Sequence, residues 1–245
     1  MTKTNGKLPE FDVASIRPSG PKDNIINALL TYPGGRILAR GCTLQYLVME
    51  AFHLQEFQIS GGPNWIRDER FEIEAKPPVS SASFKSNPAM IKLPPNDEQR
   101  QMLQALLIDR FQLKFHRENK EGKIFVLTAN DKHLKLQAPR DKNEYPWAGN
   151  IVDGDPDSSG LRGTNISMPQ LAERLTAWLE HPVVNQTGLT GSFDFEFQTG
   201  DKDTSSSDVA STIITSLKGI GLNLKEAKGP VEAVVIDSVQ QPSAN

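Results

Sequence analysis

His116 and Glu118 stand two apart in "FQLKFHRE" (111–118), a stretch that reads as a β-strand, so both side chains leave the same face. An imidazole beside a carboxylate is equipped for acid/base work on water or for sharing a metal ion, provided that a cleft covers the pair. These two are the catalytic candidates; the plainer reading is a solvated strand face, with Arg117 and Lys120 close by. In "DGDPDSSG" (153–160), Asp153, Asp155 and Asp157 alternate as oxygen ligands do at the start of a calcium loop. Such a loop wants glycine at its sixth position and glutamate at its twelfth, where this chain has Ser158 and Thr164. Calcium is the one cofactor suggested, against an acidic linker. Trp65, Trp147 and Arg117 are the binding candidates. The tryptophans lie in turn-like segments where large aromatics anchor partners, line pockets or close a local core.

Other catalytic signatures are missing. No Gly-x-Ser-x-Gly stretch offers a nucleophile elbow. Histidines 53, 116, 133 and 181 include no pair at the i, i+4 spacing that aims two imidazoles at one metal. The single cysteine, Cys42, excludes an internal disulfide and a Cys-rich zinc site, and its place before an apolar helix reads as a buried thiol.

The net charge of −3 is unevenly placed. Residues 1–140 carry 20 Lys/Arg against 15 Asp/Glu, and residues 141–245 carry 7 against 15. Neither part has the basic stripe interleaved with aromatics that nucleic-acid binding needs. No apolar run approaches the ~20 residues that span a bilayer. The first ten residues lack the apolar core of a secretion signal, which leaves cytoplasmic and exported locations both open.

The elements that must position these residues recur. "RILARG" (36–41) reads as a strand, followed by a helix that Thr43 caps and that carries Leu44, Leu47, Val48 and Ala51 on one stripe. "FQIS" (57–60) and "RFEIEAK" (70–76) read as strands, and Asn96 with Gln99 opens a second helix bearing Met102, Leu103, Leu106 and Leu107. Two strands follow, "FQLKFHRE" and "KIFVLTA". The second half repeats the order. "LRGTNI" (161–166) is followed by Ser167 and Gln170, the reciprocal capping pair, then by Leu171, Leu175, Trp178 and Leu179. "PVVNQTG", "SFDFEFQ", a helix capped by Ser207, and the strands "LNLKEAK" and "EAVVIDSV" complete it. The expectation is an α+β fold made by tandem duplication of a βαββαββ unit. Its first copy spans 1–140, with an extra strand at 11–18 and a loop insertion at 77–95; 141–160 is the linker, and 161–245 the second copy.

Five segments carry a resemblance: "FDVASIRPSG", "FQISGGPNWIRDERFEIEAK", "MLQALLIDRFQLKFHRENKE", "VVNQTGLTGSFDFEF" and "KGPVEAVVIDSVQQPSAN". The chain resembles, over nearly its whole length, a family of uncharacterised, mostly exported proteins abundant in acidobacteria, some fused to a BlaR1-type sensor metallopeptidase. The resemblance implies an envelope or periplasmic location and supplies no catalytic residues. At the level of fold, "LKGIGLNLKEAKGPVEAVVIDSV" is similar to the end of the short N-terminal domain of secretins and TonB-dependent receptors, which docks other envelope proteins. Two functions follow as expectations. One is an envelope module that recognises a peptide or protein partner, with a small-molecule carrier as a blander variant. The other is a metal-dependent hydrolase of a small ester or lactone.

Overall fold

The structure is a computed structural model that describes residues 8–21, 23, 26–78, 95–130, 132–150, 159–199 and 209–242. The chain is α+β, and its described residues form two units, Met1–Glu118 with Glu232–Asn245, and Asn119–Val231. Relative to the halves read from the sequence, 119–140 and 232–245 change places.

In chain order the first unit holds β1 (Val13–Pro18), β2 (Ala28–Thr31), β3 (Ile37–Thr43), α1 (Leu44–Phe52), β4 (Ile59–Gly61), α2 (Trp65–Asp68), β5 (Arg70–Lys76) and α3 (Asp97–Arg110). An antiparallel sheet runs β1-β5-β3-β2. Helix α1 begins where the Thr43 hydroxyl accepts the Tyr46 N–H at 3.2 Å, and the whole predicted stripe of Leu44, Leu47, Val48 and Ala51 is buried. Helix α3 begins at a reciprocal cap: Asn96 Oδ1 accepts from Gln99 N at 2.8 Å and Gln99 Oε1 from Asn96 N at 2.9 Å. The two helices pack on each other. Under them Phe71 meets the edges of Phe111 and Trp65, with ring centroids 5.2 and 6.3 Å away.

Where β3 runs into α1, its pairing with β5 slips between Ala39 and Cys42. Gly41 takes a left-handed φ of 59°, and its N–H donates to Glu72 Oε1 at 2.8 Å. The same oxygen accepts from the Ser19 hydroxyl at 2.9 Å, and Glu72 Oε2 lies 3.0 Å from Arg40 Nη1. Glu72 is buried, on a strand whose Phe71, Ile73 and Ala75 face the core.

Strand β6 (Lys114–Ala129) follows α3, and the second unit continues with β7 (Trp147–Asn150), β8 (Ser159–Ser167), α4 (Met168–Leu179), β9 (Val183–Asn185), β10 (Ser192–Thr199) and α5 (Val209–Gly219). Strand β11 (Leu222–Ser238) closes the order. The sheet β10-β8-β7 carries the same device as the first unit. Pairing slips between Phe193 and Phe195, Asn165 stands at φ 45°, and its N–H donates to Asp194 Oδ1 at 2.7 Å. Two residues on, Ser167 and Gln170 make the expected reciprocal cap of α4. Leu171 and Leu175 are fully buried, and α4 packs on α5.

The structure departs from the sequence reading at several elements. The two strands expected in each half after the second helix are one continuous strand each, β6 with 16 residues and β11 with 17. The glycines within these strands, Gly122 and Gly229, are close approaches to a neighbouring side chain. A Cβ on Gly122 would stand 2.9 Å from Val231 Cγ2, and one on Gly229 would stand 2.5 Å from Ile124 Cδ1. Strand β7 lies inside the expected linker, and β2 and α2 were not anticipated. The short strands pair in parallel with the long ones, β4 with β11 and β9 with β6, in the sheet order β4-β11-β6-β9. The proposed cap Ser207 lies outside the described residues.

The repeated carboxylate gives a stability prediction. Glu72→Ala and Asp194→Ala each strand a backbone N–H and are expected to cost about 1–3 kcal/mol in urea unfolding. Glu74→Ala, on the same strand but in a half-exposed ion pair with Arg36 at 3.1 Å, should stay within about 1 kcal/mol of wild type. Equal effects at Glu72 and Glu74 would contradict the assignment.

Candidate functional site

Alternation along β6 and β11 places His116 among charged groups. Val234 and Ile236 are buried, which turns Asp237 outward, and His116 Nδ1 lies 2.8 Å from Asp237 Oδ1. On its other side, His116 Nε2 is 3.3 Å from Glu118 Oε1, so the expected pair does share a face. The carboxylate of Glu118 first, and that of Asp237 second, raise the imidazole pKa above its ordinary 6.5. When protonated, the ring can donate to both flanking carboxylates, an imidazolium clamp. Asp237 is 121 residues from His116. The alternation of "EAVVIDSV" marks it as outward-facing, but nothing local names its neighbour.

Arg117 points to the opposite face of β6. It forms a close ion pair with Glu232, and its guanidinium carbon lies 5.8 Å from the Phe52 ring centroid. Trp65 opens α2 and packs partly buried against the first core. Trp147 is 40% exposed, with its ring laid over Gly149, where a Cβ would collide with it. Each of the three has its own local packing, Trp65 and Arg117 in the first unit and Trp147 in the second. Asp153, Asp155 and Asp157 lie outside the described residues. Among the described residues no group of three His, Cys, Asp or Glu side chains could hold a metal ion. Cys42 is buried, and desolvation pushes its thiol up to about 12, far from a nucleophile's range.

Among the described residues each unit has a cleft. In the second unit, a cleft of about 590 Å³ lies over the outer face of β8 and β10. Lys135, Arg140 and Arg162 line it together with acids. Arg162 is already held by Glu196 at 2.9 Å, and Asp194 spends both carboxylate oxygens on the N–H groups of Asn165 and Arg140. In the first unit, a groove of about 440 Å³ lies between β1 and α3. Its strand wall includes Phe11, Asp12 and Val13, and its helix wall Ala105, Leu106 and Arg110. Among the described strands β1 ends the sheet order, and Val13 is 60% exposed on it. Both elements were legible in the sequence; their adjacency was not.

The family described as a protein of unknown function, DUF3738, matches residues 45–239, and the chain belongs to it. No curated protein and no solved structure matches the chain. No helix among the described residues is long and apolar enough to cross a membrane.

The clamp around His116 has a definite pH signature. Its folded-state pKa is raised, so its contribution to stability is present in full below about pH 6.5 and is lost as pH rises through the raised value. In a proton NMR titration the His116 midpoint should lie above 6.5, and Glu118→Gln or Asp237→Asn should each lower it. The stability gap between wild type and His116→Gln should shrink from pH 6 to pH 9. A midpoint at or below 6.5 would contradict the clamp.

Proposed function

We propose that this protein is a binding module that docks a peptide or protein partner, and that it acts in the cell envelope. The observation that carries the docking role is the groove between the edge strand β1 and helix α3. An edge strand supplies backbone hydrogen-bonding groups to an added strand, while a helix beside it supplies a wall for alternate side chains. The envelope location rests on the sequence resemblance alone. A hydrolase built on His116 and Glu118 finds less support. Such an enzyme needs a ring nitrogen able to take a proton or bind a metal, and both nitrogens of His116 face carboxylates.

Selection of a displayed random-peptide library on the full chain tests the docking role. Selected peptides should bind saturably and shift the amide resonances of Asp12–Ile16 and of the last turns of α3. Ala105→Trp, which fills the groove, should weaken them by roughly tenfold or more. Selected peptides that ignore Ala105→Trp and perturb other residues would refute the groove as the docking site.

A further inference from the structure

We infer that the outer face of the sheet β10-β8-β7 binds a neutral glycan, with the Trp147 indole as the platform on which a sugar ring stacks. The site lies wholly in the second unit, and it does not depend on the docking role proposed for the first.

Alternation and register settle which groups share that face. Trp147 and Gly149 stand two apart on β7, where Trp147 pairs with Thr164 of β8 and Gly149 with Arg162. Arg162 pairs in turn with Glu196 of β10. Directly paired residues of antiparallel strands turn to the same side, so Trp147, Thr164, Arg162 and Glu196 leave one face. Ala148, Leu161 and Phe195 leave the other and enter the core. Gly149 gives the indole its pose. Three atoms of the indole's benzene ring, Cζ2, Cη2 and Cε2, close on the place where a Cβ would stand, so glycine is what lets the ring lie down on the sheet. The indole stays 40% exposed. Beside it stands the Arg162–Glu196 pair, bonded at 2.9 Å, with side chains 41% and 46% exposed. Indole, guanidinium and carboxylate form a row across three strands.

The chemistry of the wall selects the ligand. The cleft of about 590 Å³ adjoins Trp147 through Thr164 and Arg162, and its volume falls in the ~300–1,000 Å³ range of small-ligand sites. Such sites are mostly apolar. Here, among the described residues that line the cleft, Phe195 alone has an apolar side chain, and that ring is buried in the core. The ligand must therefore bring polar groups of its own. Lys135, Arg140 and Arg162 are matched by Glu144, Asp194 and Glu196, so the wall carries no net charge to favour an acidic or a basic chain. It calls for groups that both donate and accept hydrogen bonds, together with an apolar face for the indole. A sugar meets both terms. Its hydroxyls suit guanidinium donors and carboxylate acceptors set side by side, and the C–H groups on one face of its ring meet the electron-rich face of the indole.

The test uses the full chain and three neutral hexasaccharides, cellohexaose, N-acetylchitohexaose and maltohexaose, with hexagalacturonate as the acidic control. In NMR titrations at least one neutral hexasaccharide should bind saturably, shift the indole N–H resonance of Trp147 and the amides of β8, and bind alike at low and high salt. The acidic control should bind at least about tenfold more weakly. Trp147→Ala should weaken the neutral ligand about tenfold or more, and Trp147→Phe by less, since a smaller aromatic keeps a stacking face. Gly149→Val keeps the tryptophan but lifts it from the sheet, and should match Trp147→Ala; it carries the test if the alanine variant folds poorly. Glu196→Gln should cost about threefold or more. Failure of all three neutral hexasaccharides to bind would overturn the inference, as would binding that ignores both Trp147→Ala and Gly149→Val. Tighter, salt-dependent binding of hexagalacturonate at this face would overturn the neutral ligand. Library-selected peptides that lose affinity with Trp147→Ala, while no hexasaccharide binds, would hand the face to a protein partner and overturn it too.

Discussion

A carboxylate that accepts the N–H of one left-handed residue sets where each unit turns from strand into helix. Glu72 does this for Gly41, and Asp194 does it for Asn165. In both cases the helix cap lies two residues further on, at Thr43 and at Ser167. The geometry forces the association. A bulge that adds a residue to one strand leaves an N–H without its ladder partner, and a buried donor must be satisfied. The carboxylate comes from the neighbouring strand, at a position that alternation turns away from the helices. Ladder, bulge and cap are thereby locked to one register, and a slip by one residue would send Phe71 and Phe195 to the outer face.

The same economy of backbone groups explains the long strands. Continuous strands of 16 and 17 residues bury little on one face along much of their length, as the exposed positions of β6 show. Pairing holds them, and their glycines make room for side chains of the neighbouring strand. Parallel partners β4 and β9 are only three residues each. The clamp of Glu118, His116 and Asp237 adds a charged tie between β6 and β11 on a half-exposed face. In its protonated form it adds cohesion there.

Several carboxylates of the chain are structural. Glu72, Asp194, Glu118 and Asp237 are each engaged by a specific donor. Asp12, just before β1, and Asp109, near the end of α3, line the groove between those two elements. The groove is accordingly where the proposed docking role rests.

Local signals in the chain were strong enough to stand alone. The caps at Thr43, Asn96 and Ser167, the stripes through Leu47, Leu103 and Leu171, and the alternation of "RFEIEAK" and "SFDFEFQ" all concern residues within four or five positions of one another. Period and capping chemistry act at that range, so helices, strands and the shared face of His116 and Glu118 could be read directly. Other features depend on residues far apart. Asp237 beside His116, Glu72 under Gly41, and β1 along α3 are meetings that no spacing encodes. Gly122 and Gly229 show the limit most plainly, since a glycine reads alike whether the chain turns there or a neighbour's side chain needs the room. The sequence by itself determined which segments bury which faces; which strand lies next to which was decided only when those faces packed.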